Sequence, residues 1–326
     1  MPLPEPTTPV NVRLLANRQG KPGALLWQAP AAAAPTLCAW LQQDSVANLA
    51  RTTRCLWRAD DVALWPPDVQ QALADAGFQT LDAVTDCPTS WPPSDNALWV
   101  AGPWYLQPPA KPTSAQAASR THALRLVQLI AADAETHDIE DVFRHDAQLS
   151  YQLLRLVTSA GMGHGRSISS FAQAILILGR QALRRWVNLL LFSARDDDPR
   201  SAMLMAHVVL RARGMELLAQ AAGLDRGQQD QAFMSGMFSL LGVLFGQPLA
   251  QALAPLNLQP ELRDALLEGH GELGALLRAW CAAEQADDAA VVHALAELGL
   301  TVSDLNRTLP LACAWMWQMT AETTPP

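Results

Sequence analysis

Charge is scarce in this chain: 17% of its residues are Asp, Glu, Lys or Arg, against roughly 25% in an average globular protein. Half of the residues are hydrophobic, which leaves ample material to bury and excludes disorder across the whole chain. A basic excess is missing too. The 23 Lys and Arg fall short of the 31 Asp and Glu, giving a formal charge of −8, the wrong sign for a chain that tracks a phosphate backbone. The five cysteines, Cys38, Cys55, Cys87, Cys281 and Cys313, form no C-x-x-C pair, so zinc-ligand and redox-motif spacings are both absent. The opening residues MPLPEPTTPV lack a basic stretch followed by an apolar one and do not read as a signal peptide. The uncharged stretch between Asp230 and Glu261 is interrupted by Gln247, Pro248, Gln251 and Pro255. What remains, over 232–246, is shorter than the ~20 residues that cross a bilayer. A buried core helix, no membrane span and a cytoplasmic location with reduced thiols are therefore expected.

Proline and tryptophan are unevenly spread. Residues 1–112 hold 16 of the 23 prolines and 7 of the 11 tryptophans, and beyond Pro112 the chain turns rich in Ala and Leu. A Pro-rich, then small and polar, stretch over 108–118 marks the boundary. Before it, 24–27 and 97–100 read as strands, while 35–54 and a segment opening at Pro67-Asp68 and stopping at Gly77 have helical spacing. This is a small α/β unit. After it everything reads helical: 123–132, 149–160, a short helix from Ser169/Ser170 to Gly179, and 181–194. Further helices are expected over 201–222, 229–246, 260–285, 288–298 and 303–320, the last bent at Pro310.

The run DAQLSYQLLRLVTSAGMGHGRSISSFAQAILILGRQALRRW resembles the HDOD domain, a helical module of bacterial signalling proteins. The resemblance rests on D-x-x-L-S-x-x-L-L-R-L-x-x-S-A from Asp146 to Ala160 and I-x-S-x-x-x-A-I-x-x-L-G from Ile168 to Gly179. It continues through RARGMELLA (211–219) and AFMSGMFSLLGVLF (232–245) and covers roughly 118–300. The HDOD fold is similar to that of HD-type phosphohydrolases, whose metal site includes an adjacent His-Asp on a helix. At those positions this chain carries Ser239 and Leu240. Leucine offers a metal no lone pair, and a serine hydroxyl is a poor substitute for imidazole. Losing both ligands leaves no metal to activate a water. His207 lies where an upstream ligand would fall, but a lone His on an apolar helix reads more simply as a hydrogen-bonded core residue. The dipeptides His137-Asp138 and His145-Asp146 are decoys: Asp146 suits a helix cap, and His137 sits in a charged connector.

In signalling proteins of this kind the HDOD module often follows an EAL domain, a barrel that hydrolyses cyclic di-GMP with carboxylate-held metal. The stretch from Arg13 to Gln28 resembles the opening of such a barrel, with Ala24 at the position of the metal-binding glutamate. Gly102-Pro103-Trp104-Tyr105-Leu106-Gln107-Pro108 resembles its last strand. Only about 75 residues separate these ends, whereas an eight-fold barrel needs on the order of 200. A coincidental small α/β domain is the alternative, and Asp60-Asp61 lacks the glycine-containing turn of the family.

Seven arginines fall between 180 and 213, among them Arg180, Arg184, Arg185, Arg211 and Arg213, against three aspartates at 196–198. They read either as a positive surface for an acidic partner or nucleotide phosphate, or as the solvated faces of two helices, with Arg184 and Arg185 covering apolar surface. Gly161-Met162-Gly163-His164-Gly165 follows no strand and lacks Lys-Ser/Thr, so it is a linker and not a phosphate loop. Trp280, Trp315, Trp317 and Met319 read as core before they read as a docking surface.

The expected fold is α+β overall: an all-α HD-like (HDOD) helical domain at 118–320, preceded by a small α/β remnant of an EAL-type barrel at 11–112, with disordered tails at 1–10 and 321–326. The resemblance implies a non-catalytic bacterial signal-transduction protein acting through protein–protein contacts of its HDOD domain. It would have no cofactor or metal, no nucleic-acid partner, an unidentified signalling protein as partner, and self-association left open. The alternatives are a cyclic di-GMP receptor without turnover and a divergent metal-dependent phosphohydrolase.

Overall fold

The computed structural model describes residues 8–87, 91, 98–107, 124–130, 132–144, 179, 181, 183–185, 187, 200–254, 256 and 258–321. The boundary at 108–118, the helices expected over 149–179 apart from Gly179, His145-Asp146, the Gly-rich 161–165 and Arg180 lie outside the described residues, as do 1–7 and 322–326.

Strands β1 (Asn11–Ala16) and β2 (Pro22–Gln28) form an antiparallel hairpin. Helices α1 (Ala34–Leu41) and α2 (Asp44–Thr52) then lead to β3 (Cys55–Arg58), which runs parallel to β2. After α3 (Ala59–Ala63) and α4 (Pro67–Asp75), β4 (Gln79–Leu81) joins β3 in parallel. On the other side β6 (Val100–Ala101) pairs antiparallel with β1 and parallel with β5 (Thr85–Asp86). The order is β4-β3-β2-β1-β6-β5.

The period-2 alternation of strands sorts these residues onto two faces. Leu14, Ala16, Leu25, Trp27, Cys55, Trp57 and Val100 face the helices and belong to the main core. Leu15, Ala24, Leu26, Leu56, Trp99 and Ala101 form a separate cluster on the opposite, inner face. That face is concave. Arg58 on β3 approaches Asp86 on β5 to 3.9 Å, although four strand spacings, about 19 Å in a flat sheet, separate them. The sheet is therefore curled into a half-barrel.

Helical structure covers 124–130 (α5) and Thr136–Arg144 (α6), and residues 181–187 where described. Then follow α7 (Ser201–Ala221), α8 (Arg226–Phe238), α9 (Leu241–Phe245), α10 (Leu249–Leu253), α11 (Pro260–Glu268), α12 (Gly271–Glu284), α13 (Asp288–Glu297) and α14 (Val302–Ala321). Helix α7 is buried nearly all round, which is why no apolar stripe is visible along it. Helix α8 opens with a capping box, in which Asp225 accepts from the Gln228 N–H at 2.9 Å and Gln228 accepts from the Asp225 N–H at 3.0 Å. Such a box satisfies two of the amides that a helix start leaves orphaned.

Three stretches expected as single helices are each two. The 35–54 stretch breaks after Leu41, where Gln43 is extended at ψ 135°. The 229–246 stretch breaks at Ser239-Leu240, and 260–285 breaks where Gly269 takes the left-handed conformation at φ +70°. The last helix, by contrast, continues through Pro310. No helix among the described residues is long and apolar enough to cross a membrane.

The half-barrel and the helices share one core: the main cluster runs without interruption from Trp27, Trp40 and Trp57 to Phe233, Trp280 and Cys313. Polar pins cross the same boundary. Buried Asn306 on α14 accepts from the Val10 N–H through its side chain and from the Trp40 indole through its carbonyl, both at 2.9 Å. Arg200 donates to the Gln107 carbonyl.

Candidate functional site

Buried polar groups concentrate where α7, α12 and the α8–α9 break meet the half-barrel. Arg211, only 7% exposed, forks onto the Glu284 carboxylate, Nε to Oε1 at 3.0 Å and Nη2 to Oε2 at 2.5 Å. Its Nη1 donates to Ser239 Oγ at 2.8 Å, and its Nη2 lies 3.1 Å from His207 Nε2. Ser239 in turn donates to the Gly236 carbonyl at 2.7 Å. On the far side of the imidazole, His207 Nδ1 lies 3.3 Å from Tyr105 Oη.

Helical spacing brings His207 and Arg211 together, because residues i and i+4 share a face. Tyr105 arrives from the half-barrel on a 3-10 turn, Trp104–Leu106. That turn depends on Gly102, whose φ is +109° and whose Cβ would collide with the Cys87 backbone. A non-glycine residue would have to leave that conformation.

His207 Nε2 faces both a donor, Arg211 Nη2 at 3.1 Å, and an acceptor, Glu284 Oε1 at 3.4 Å, so Arg211 alone does not set which ring nitrogen carries the proton. Burial alone would raise the pKa of Glu284, but the Arg211 guanidinium, seconded by His207, holds it far below the usual carboxylate range. The same pair raises Arg211 further despite its burial. Burial, with Glu284 adding to it, pushes the Tyr105 hydroxyl up and keeps it a neutral phenol. This ion pair, with 8% of the Arg211 and 18% of the Glu284 side chain exposed, is largely buried and compensated charge by charge.

The residues here do not fit the divalent metal of an HD-type site. Ser239 spends its hydroxyl on Arg211 and Gly236, and Leu240 is a buried apolar side chain. A guanidinium stands 3.1 Å from the His207 nitrogen that a metal would need. No group of three or more His, Cys, Asp or Glu suited to a metal occurs among the described residues. His207 is 7% exposed, with its two ring nitrogens 3.3 Å from Tyr105 Oη and 3.1 Å from Arg211 Nη2.

Among the described residues, Arg184, Arg185 and Arg213 do not form one surface with Arg211. Arg185 pairs with Glu216 at 2.6 Å and with Asp230, and stacks its guanidinium 5.0 Å from the Phe233 ring. Its pKa is raised because these two carboxylates outweigh the effect of burial. Arg213 takes the second Glu216 oxygen at 2.6 Å and lies 6.0 Å from the Trp315 ring. Arg184 is exposed. Sequence reading counted the arginines and missed their acids, Glu216, Asp230 and Glu284. Glu284 had a usable signal, as the acid closing an otherwise apolar run, AWCAAE. Tyr105 had a weaker one, being one of two tyrosines in the chain. Trp280 is core at 1% exposure, while Trp315 and Trp317 are half-buried against it.

Ala24 lies on the concave face of the half-barrel, fully buried among Leu15, Leu26, Leu56 and Trp99. A carboxylate there would be stranded in an apolar setting. The charged groups of that face satisfy one another at its edge, where Arg13 pairs with Asp86 at 3.1 Å.

Comparison with known proteins agrees with the helical reading. The HDOD domain family model matches residues 119–293. The "Cyclic di-GMP phosphodiesterase CdgJ" of Vibrio cholerae serotype O1 (strain ATCC 39315 / El Tor Inaba N16961) is 33% identical over 54% of this chain and 40% of its own length. The "Uncharacterized protein YuxH" of Bacillus subtilis (strain 168) is 31% identical over 40% of this chain and 32% of its own. The chain thus spans well under half the length of either relative. A solved structure from Shewanella amazonensis SB2B aligns at 15% identity with a TM-score of 0.39, covering 63% of this chain and 93% of that one. That likeness is too slight to carry an argument.

Proposed function

This chain belongs to the HDOD domain family, and we propose that it is a non-catalytic signal-transduction protein that regulates partners through its helical domain. In this reading the half-barrel is a truncated, degenerate EAL-like segment. It serves as a docking and stabilising appendage that has lost phosphodiesterase chemistry. The observation that supports the proposal is that the Arg211 guanidinium fills the space between His207, Ser239 and Glu284, and on the HDOD resemblance Ser239 and Leu240 occupy the positions of the His-Asp pair. The apolar burial of Ala24 supports the same conclusion for the half-barrel. Regulation then acts by population shift, with a partner that has unequal affinity for two domain arrangements.

The test is direct. Purified chain incubated with cyclic di-GMP and with a generic phosphodiester, in Mg²⁺ and in Mn²⁺, is expected to release no product. Turnover that disappears on His207→Ala would refute the proposal. The relationship to a protein named as a cyclic di-GMP phosphodiesterase favours a second reading, a receptor that binds this dinucleotide without hydrolysing it. Calorimetry separates the two: micromolar or tighter binding without turnover selects the receptor, and no heat at high concentration discards it.

A further inference from the structure

Glu284, Ser239 and His207 come from three different places in the chain and turn ligand-type atoms toward one largely buried point. Such atoms converging on a positive charge are what a metal site supplies. Here the positive charge belongs to the chain itself. We propose that Arg211 is a resident cation that takes the place of a bound metal ion, and that through His207 it locks the half-barrel onto the helices.

The guanidinium and the Glu284 carboxylate cancel in charge, and His207 and Ser239 complete the donor pattern of the planar fork. Adding a divalent ion would set three positive charges against one carboxylate in a largely buried site, where the desolvation of uncompensated charge is costly. Arg211 therefore excludes the metal and also does its structural work. His207 bridges the cluster to the half-barrel, its Nε2 lying 3.1 Å from Arg211 Nη2 and 3.4 Å from Glu284 Oε1 and its Nδ1 3.3 Å from Tyr105 Oη. The 3-10 turn carrying Tyr105 is thereby tied to α7, and the electrostatic state of the cluster is tied to the seating of the half-barrel. This assignment stands independently of whether the protein is a regulator.

The experiment is Arg211→Ala in the full chain, followed by thermal unfolding. Breaking the pair strands the Glu284 charge, and Tm is expected to fall by about 10 °C. Millimolar guanidinium chloride is expected to restore part of that loss, where equal NaCl does not, and to leave the wild type unmoved. Arg211→Lys keeps the charge but not the fork, and is expected to recover less than half of the loss. An Arg211→Ala protein as stable as wild type, or one indifferent to guanidinium, overturns the proposal. So does stoichiometric zinc in wild-type protein that is lost with His207→Ala. Should Arg211→Ala fail to fold, Tyr105→Phe tests the lock by hydrogen exchange. Half-barrel amides are expected to exchange about threefold to tenfold faster, in keeping with one lost hydrogen bond, while the α7–α8 amides hold. Unchanged exchange overturns it.

Discussion

Replacing Gly214 with alanine sets two opposed effects on a single methyl group. Gly214 lies inside α7, where glycine is about 1 kcal/mol worse than alanine because it frees the backbone of the unfolded chain. On propensity alone the substitution stabilises. The position is not free, however: a Cβ built there would stand within the Trp280 ring of α12, far inside van der Waals contact with three ring carbons. Trp280 is 1% exposed and rigid, so relief requires the indole or the whole of α12 to move within a close-packed core. Overpacking of this kind costs about 1–3 kcal/mol and sometimes more. With about 1 kcal/mol of propensity returned, the clash should still win, because three ring carbons are involved. Gly214→Ala should then be less stable by up to about 2 kcal/mol, read as a lower urea midpoint at unchanged slope. Shrinking the ring supplies the control. In the double variant Gly214→Ala/Trp280→Phe the two losses should add to less than their sum, with a coupling of about 1 kcal/mol or more. A Gly214→Ala protein more stable than wild type would refute the close approach of α7 and α12.

Glu284→Gln leaves the Arg211 charge buried without its partner and is expected to cost about 3–5 kcal/mol in equilibrium unfolding. The folded pKa of Glu284 lies below its unfolded value. Its stabilisation is therefore complete above about pH 4.3 and lost as pH falls below it. Wild type should thus lose stability on acidification more steeply than the glutamine variant, and equal slopes would contradict the ion pair. Asn306→Ala removes the acceptor of the Val10 amide, a loss of about 1–3 kcal/mol. Hydrogen exchange should show β1 amides released before those of α14, and unaltered β1 protection would argue against the pin. Burial pushes the thiols up, Cys55 to about 12, Cys281 to about 11 and Cys313 well above its ordinary value. Iodoacetamide at pH 8 should accordingly leave these three unmodified in folded protein and label all five after denaturation. Rapid labelling of Cys55 or Cys313 in the native state would contradict their burial.

Buried α7 and the inner Ser239-Leu240 break show why some local readings fell short. A broken helix such as 229–246 keeps an apolar composition on both sides of its break, and composition carries no record of where the backbone turns. Gly269 left a visible trace, since glycine is the common residue at a left-handed helix end. Gln42-Gln43 left none. The strands β3 to β6 are two to four residues long, too short for a period-2 pattern to rise above chance. Sheet pairing alone defines them.

Composition and periodicity along the chain already separate a Pro- and Trp-rich α/β part from an Ala- and Leu-rich helical part. The HDOD resemblance over the second part was equally legible there. These follow from composition, periodicity and residue identity, which are local and readable along the chain. Tertiary structure alone decided that Arg211 is buried with Glu284, that Arg185 and Arg213 share Glu216, and that Tyr105 reaches His207. An arginine's partner is chosen by which helices pack together, and Arg211 and Glu284 stand 73 residues apart. The same holds for the half-barrel: strand propensity favoured its hairpin, but only the curl of the sheet brought Arg58 to Asp86 and closed Ala24 into an apolar interior.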